Sequence, residues 1–129
     1  MRERWRWGVF LATLDPAVGT EQAGTRPVVV VSEENFNELM DAVTVLPITR
    51  KSESRRVYYN EASLPAGNGG LKADSVVLAH QVRSISKRRL IERWGTLEST
   101  STKEAVFRAL LRHLGVDADE PEIDLEAAA

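Results

Sequence analysis

The chain has no cysteine. A disulfide framework, a thiolate zinc site and a cysteine nucleophile are therefore excluded. Histidine is nearly as scarce: His80 and His113 are the only two, and neither sits at metal-ligand spacing. No apolar run approaches the ~20 residues that a membrane-spanning helix needs. The charged start, Met1 to Trp7, lacks a following apolar stretch with a small-residue cleavage site. No signal peptide is read, and a cytoplasmic location is expected. Walker-type phosphate loops and Gly-x-Ser-x-Gly elbows are missing. The cluster Gly67-Asn68-Gly69-Gly70 does not lead from a strand into a helix, so it reads as a turn and not as a phosphate cradle. There is no internal repeat.

What is present fits one domain: 129 residues are enough to bury a genuine core. The net charge of -2 hides an asymmetry. Beyond Val116 the chain holds six of its 19 acidic residues and none of its 17 lysines and arginines. Residues 1–116 thus carry 17 bases against 13 acids, a net of +4. Such a body suits a polyanionic partner, and the overall pI of 5.7 does not argue against one. A solvated surface with an acidic tail explains the same figures. We expect a domain over residues 1–116 and an inert, disordered tail over 117–129.

Residues 5–14 mix aromatic and apolar side chains and end at Asp15-Pro16, the pattern of a strand entering a loop. Residues 15–25 are rich in turn formers. Pro27-Val28-Val29-Val30-Val31 predicts a strand buried on both faces. Ser32 is placed to cap a short helix over 33–40. A strand is expected over Val43–Thr49, with Pro47 arguing for an edge or a bulge. Further strands are read at 56–61, 75–83 and 92–97, with one helical turn near 86–90. Ser101-Thr102-Lys103-Glu104 has capping-box spacing. After it, Val106, Leu110 and Leu114, with Phe107 and Leu111, predict an amphipathic helix ended by Gly115. Short strands, long loops and one closing helix point to a mainly β fold (β plus α), a small, strongly bent sheet or barrel.

Unaided, the residues offer arginine-rich loops and the segment Glu21-Gln22-Ala23-Gly24-Thr25-Arg26-Pro27. A guanidinium fork suits phosphate, but Arg26 could equally pair with Glu21, and Thr49 could be an ordinary strand residue. A two-histidine acid–base pair would need His80 and His113, 33 positions apart, to meet.

The segment from Leu14-Asp15-Pro16 through Gly19-Thr20-Glu21-Gln22-Ala23-Gly24-Thr25-Arg26-Pro27-Val28-Val29-Val30-Val31-Ser32 resembles the signature of the MazF/PemK toxins. Val45-Leu46-Pro47-Ile48-Thr49 is similar to that family's V-x-P-I-T strand. Leu64 to Leu78 resembles its following loop and strand, and Gln81 to Leu90 its next block. The likeness runs in order over residues 6 to about 115. It implies an SH3-like small barrel of short antiparallel strands, working as a homodimer. It also implies a toxin of a type II toxin–antitoxin system: an endoribonuclease that cuts single-stranded RNA at specific sequences, independently of the ribosome. No metal or other cofactor is implied. The implied partners are single-stranded RNA and a MazE-like protein antitoxin that blocks the RNA groove.

Two positions match the family's catalytic pair, Arg26 and Thr49. Glu21, Gln22 and Gln81 match positions linked to activity or lying near the groove, and Arg50, Lys51, Arg55 and Arg56 flank a loop beside it. All of these except Arg56 are the expected RNA-binding residues. RNA supplies its own nucleophile, the 2′-hydroxyl, so the protein must orient the strand and stabilise charge on the phosphorus oxygens. Arg26, too basic to take a proton at neutral pH, is assigned charge stabilisation, and Thr49 a hydrogen bond to phosphate. The group that removes the 2′-proton is left open between Glu21 and His80. Two departures stand out. Arg6-Trp7-Gly8 replaces the usual Arg-Gly-Asp/Glu, and His80 stands where an acid is common. The competing readings are a gyrase poison like the related CcdB toxins, and an RNA-binding barrel without activity.

Overall fold

A computed structural model describes residues 3–116. The tail expected over 117–129 lies outside the described residues. Seven strands, β1 (Gly8–Thr13), β2 (Thr25–Val30), β3 (Ala42–Arg50), β4 (Glu61–Leu64), β5 (Ser75–Leu78), β6 (Arg83–Ser86) and β7 (Leu90–Thr96), alternate with α1 (Glu34–Leu39) and α2 (Thr100–His113). Three single 3-10 turns fall at Asn68–Gly70, Ala79–Gln81 and Lys87–Arg89. The strands pair antiparallel in the order β4-β5-β3-β2-β1-β7, and β6 adds to β3. The class is the expected one, mainly β with helices. The ladder does not close by strand pairing. Instead the turn at Asn68–Gly70 lies against β7. A Cβ on Gly95 would meet the carbonyl carbon of Gly69 at 2.7 Å, and one on Gly70 would meet the Trp94 carbonyl oxygen. The glycine cluster read as a plain turn is therefore a backbone-to-backbone contact that only glycine permits.

Bending splits the core in two. Val9, Val29, Leu46, Ile48, Leu64, Val77, Val106 and Ala109 lie in one cluster, under α2. Phe10, Ala12, Leu14, Val28, Val30, Val43, Val45 and Ile85 lie in the other. Adjacent valines of β2 feed different clusters, which is why that run is apolar at every position instead of alternating.

Several boundaries differ from the sequence reading. β3 is central, and Pro47 is buried within it. Pro47 stands where the outer partner of β3 changes from β6 (residues 42–45) to β5 (residues 48–50), a gap in that ladder where a missing N–H costs least. No strand forms over 56–60; β4 starts at Glu61. The strand read over 75–83 breaks at Ala79 into a 3-10 turn. α1 is capped by Glu33, whose carboxylate accepts from the Phe36 amide, while Ser32 donates to Asn37 and receives the Thr44 amide. α2 is capped by Ser99, not Ser101, through the Thr102 amide. Its buried residues are Val106 and Ala109; Phe107 and Leu114 are exposed. The far end follows the expected glycine stop. Gly115 (φ 73°) closes a Schellman motif, its amide donating to the Arg112 carbonyl and that of Val116 to Leu111.

Candidate functional site

The loop between β1 and β2 is built from its own polar groups. The Leu14 amide donates to the Gly24 carbonyl at 2.8 Å, and the Gly24 amide to Oδ1 of Asp15 at 2.9 Å. Within it, Glu21 Oε1 accepts from the Val18 amide (2.9 Å) while the Glu21 amide donates to the Val18 carbonyl (3.2 Å). Three side chains from beyond β5 tie the loop to the sheet. Arg83 donates to the Leu14 carbonyl, Arg89 to those of Thr13 and Asp15, and Gln81 bridges the Thr20 carbonyl and the Gln22 amide. Gln81 is thus a brace for Glu21 and Gln22, the other two expected loop residues. The Gln22 side-chain oxygen is buried without a hydrogen-bond partner among the described residues.

Arg26 and Glu21 do not pair. The Arg26 Nε donates to the Ala23 carbonyl at 2.9 Å and the Glu21 carboxylate turns to Val18. The register of β2 on β3 sets Val28 opposite Pro47. Continued by two residues it sets Arg26 opposite Thr49, just past the point where the two strands stop pairing. Side chains alternate along a strand. Arg26 therefore shares a face with Val28 and Val30, and Thr49 with Val45 and Val43, all four valines belonging to the second core cluster. The two candidates stand side by side, half-buried, where that face runs out of core.

The flanking cations divide. Arg50 is exposed at the end of β3, on the opposite face from Thr49. Lys51 follows, its amide held by the Asp74 carbonyl at 2.9 Å. Arg55 is committed elsewhere. Its two Nη atoms grip the two oxygens of Glu61, both at 2.9 Å, and Nη1 also reaches the Arg56 carbonyl. The solvent-facing cation of this loop is Arg56, stacked over Tyr58 at 5.3 Å.

Around Glu61 lies a cluster that no spacing in the sequence announced. Its side chain is 2% exposed. Besides Arg55 it accepts from the Tyr58 amide at 3.1 Å and meets His80 Nε2 at 3.2 Å. Burial alone would push this carboxyl up. Arg55, the Tyr58 amide and His80 outweigh it and hold the group below the usual carboxylate range. His113, from α2, places its ring 6.3 Å from that of His80 and its Nδ1 3.4 Å from Asn60 Nδ2. The two histidines do meet, at the junction of β4, the 79–81 turn and α2.

A surface cavity of about 500 Å³, whose lining includes Arg6, Trp7, Phe107 and Leu111, holds none of these residues. Residues 5–114 match the family model described as PemK-like, MazF-like toxin of type II toxin–antitoxin system. The chain belongs to the PemK/MazF toxin family. It is 33% identical over 99 residues to the endoribonuclease MazF of Staphylococcus saprophyticus, covering 77% of this chain and 82% of that one. Its fold is similar to a solved MazF from Deinococcus radiodurans (TM-score 0.71, 28% identity, 85% of this chain and 94% of that one). It is also similar to a MazE–MazF crystal structure from the same organism (TM-score 0.60, 25% identity, 88% and 96%).

Within this PemK/MazF toxin the departures have local causes. Trp7 occupies the position of the usual glycine and keeps a left-handed backbone, φ 69°. That conformation costs a bulky residue roughly 1–3 kcal/mol. The bonds around it, Trp7 N to Val30 O and Leu97 N to Trp7 O, hold it there, and its ring packs on the first core cluster. Gly8 replaces the usual acid because there is no room: a Cβ would meet Phe10 at 2.7 Å and the Trp5 carbonyl oxygen at 2.9 Å.

Proposed function

We propose that this chain is the toxin of a type II toxin–antitoxin pair. It cuts single-stranded RNA at specific sequences, independently of the ribosome and of metal, leaving 2′,3′-cyclic phosphate and 5′-hydroxyl ends. The observation that carries this reading is the placement of Arg26 beside Thr49 on one sheet face, at a loop braced by Gln81. Arg26 stabilises the charge that builds on the phosphorus oxygens. Thr49 holds a phosphate oxygen in line. Glu21 and Gln22 shape the loop over which the strand passes, and Arg50, Lys51 and the exposed Arg56 draw the backbone in by salt-dependent contacts. Arg55 acts indirectly, by holding Glu61. The active unit is a homodimer of residues 1–116, and its partner is a MazE-like antitoxin that covers the groove.

The test is incubation of the purified protein with a long single-stranded RNA in EDTA, with the ends mapped and an Arg26→Ala control. Discrete cuts with cyclic phosphate ends are expected, lost in the variant and lost when the scissile nucleotide is 2′-deoxy. RNA left intact by folded, antitoxin-free protein would overturn the reading and turn attention to gyrase trapping and to RNA binding without cleavage.

A further inference from the structure

The reaction just described needs a group to take the proton from the 2′-hydroxyl, and neither Arg26 nor Thr49 is suited to it. Two residues near the loop are candidates. Glu21 is the weaker one: its carboxylate is already turned back into its own loop, where it accepts the Val18 amide. His80 is arranged differently. Its Nε2 faces a buried carboxylate, Glu61, which is itself gripped by Arg55 and by the Tyr58 amide. A carboxylate only accepts, so the contact places a proton on His80 Nε2 and leaves the lone pair on Nδ1. A third of the His80 side chain is exposed, against 2% for Glu61. One nitrogen is thus anchored on the buried carboxylate while the side chain stays partly open to solvent.

The register also puts Glu61, the partner of His80, on the right side of the sheet. Thr49 lies opposite Val76, and Leu78, two residues on, lies opposite Glu61. Thr49, Val76, Leu78 and Glu61 therefore share one face, the one that carries Arg26. Two strand spacings across and two residues along separate Thr49 from Glu61 by about 12 Å between Cα atoms. Arg26, on β2, stands one strand further along the same face, beside Thr49. His80 also directly precedes Gln81, whose side chain holds Thr20 and Gln22.

We propose that His80 is a catalytic residue, the general base of RNA cleavage, and that Glu61 is its positioning residue, held in place by Arg55. The proposal rests on the ribonuclease reading above. Nδ1 of His80 takes the 2′-proton as the 2′-oxygen bonds to phosphorus and the bond to the 5′-oxygen breaks. The 5′-oxygen is protonated from water, and His80 later returns its proton to water, so no other reactant is consumed. Glu61 stabilises the imidazolium formed in the step. The charged and titratable groups facing His80 are Glu61 from β4, Arg55 through Glu61, and His113 from α2.

The test compares wild type with His80→Ala and Glu21→Gln, full-length and folded by circular dichroism. Single-turnover cleavage and equilibrium binding of a cleavable RNA are measured from pH 5 to 9. His80→Ala should slow cleavage ~10²- to 10⁴-fold while RNA affinity stays within a few-fold. The acidic limb of the wild-type rate profile should disappear, and added imidazole should restore part of the rate. Glu21→Gln should retain that limb. If His80→Ala cuts RNA at a near-normal rate with the limb intact, His80 is not the base. Wild type that leaves RNA intact overturns the ribonuclease reading as well, which separates the two failures.

Discussion

Gly8 shows how much one atom decides. A Cβ there would lie 2.9 Å from a carbonyl oxygen of the chain itself and 3.0 Å from the Arg93 guanidinium carbon. Restoring the family's acid should therefore destabilise. Gly8→Asp is expected to cost about 1–3 kcal/mol, read as a lower urea midpoint. An unchanged midpoint would mean that Trp5 and its neighbours move aside freely. Arg26 and Thr49 behave in the opposite way. Both are half-buried at the rim of the second core cluster, so their truncation should cost little stability. Thr49→Val keeps the shape and removes only the hydroxyl. It should lower the cleavage rate by about tenfold or more, as loss of a transition-state hydrogen bond does, and leave thermal unfolding within about a degree of wild type.

The elements are set by their ends and by their closest contacts. Ser99 accepts the Thr102 amide at the start of α2, whereas the Ser101 side chain shares a hydrogen bond with the Ser99 hydroxyl and caps no amide among the described residues. Ser99→Ala should cost about 1 kcal/mol and Ser101→Ala less than ~0.5 kcal/mol. Equal losses in chemical denaturation would put the cap elsewhere. The capping box read two residues late because Ser99, Ser101 and Thr102 are chemically alike, and only the path of the backbone selects among them. The same holds at β7, where Gly95 lets the 68–70 turn approach. Gly95→Ala would press a methyl against the Gly69 carbonyl group, and it should lower stability more than Gly115→Ala, whose Cβ meets nothing within 4 Å but must adopt φ 73°.

At the scale of the whole molecule the buried Glu61 links stability to pH. Its carboxyl titrates below its ordinary value in the folded chain, as does that of Glu34, which burial pushes up but the Arg6 and Trp5 amides pull further down. A depressed folded value means that both contribute stability above the unfolded carboxylate range, near pH 4.3. They lose it as pH falls through the lower folded value. Unfolding free energy should thus fall below about pH 4.5. Glu61→Gln should be less stable than wild type at pH 7, because Arg55 loses its partner, and should show a shallower acid slope. A variant with the same slope as wild type would place the acid-sensitive group elsewhere. This carboxylate also ties β4 to the 79–81 turn through His80.

The sequence by itself determined the class and the strand-rich plan, since a run such as Pro27 to Val31 has no use except inside a sheet. It also determined the family, because Glu21 to Pro27 and Leu46 to Thr49 are local strings whose order survives in one dimension. It marked Gly115 as a helix stop, a property of that residue's own backbone. Only the tertiary structure decided that Pro47 is central, since a proline is admitted or refused by whichever strand lies alongside it. The meeting of Arg55, Glu61, His80 and His113 was likewise beyond the string. Four residues from four segments converge there because β4 pairs with β5 and α2 packs on β4 and the 79–81 turn, and contacts between distant segments leave no periodic trace. Arg55 illustrates the difference: in the sequence it is one more cation in a basic loop, and in the fold its fork is taken up by a buried carboxylate.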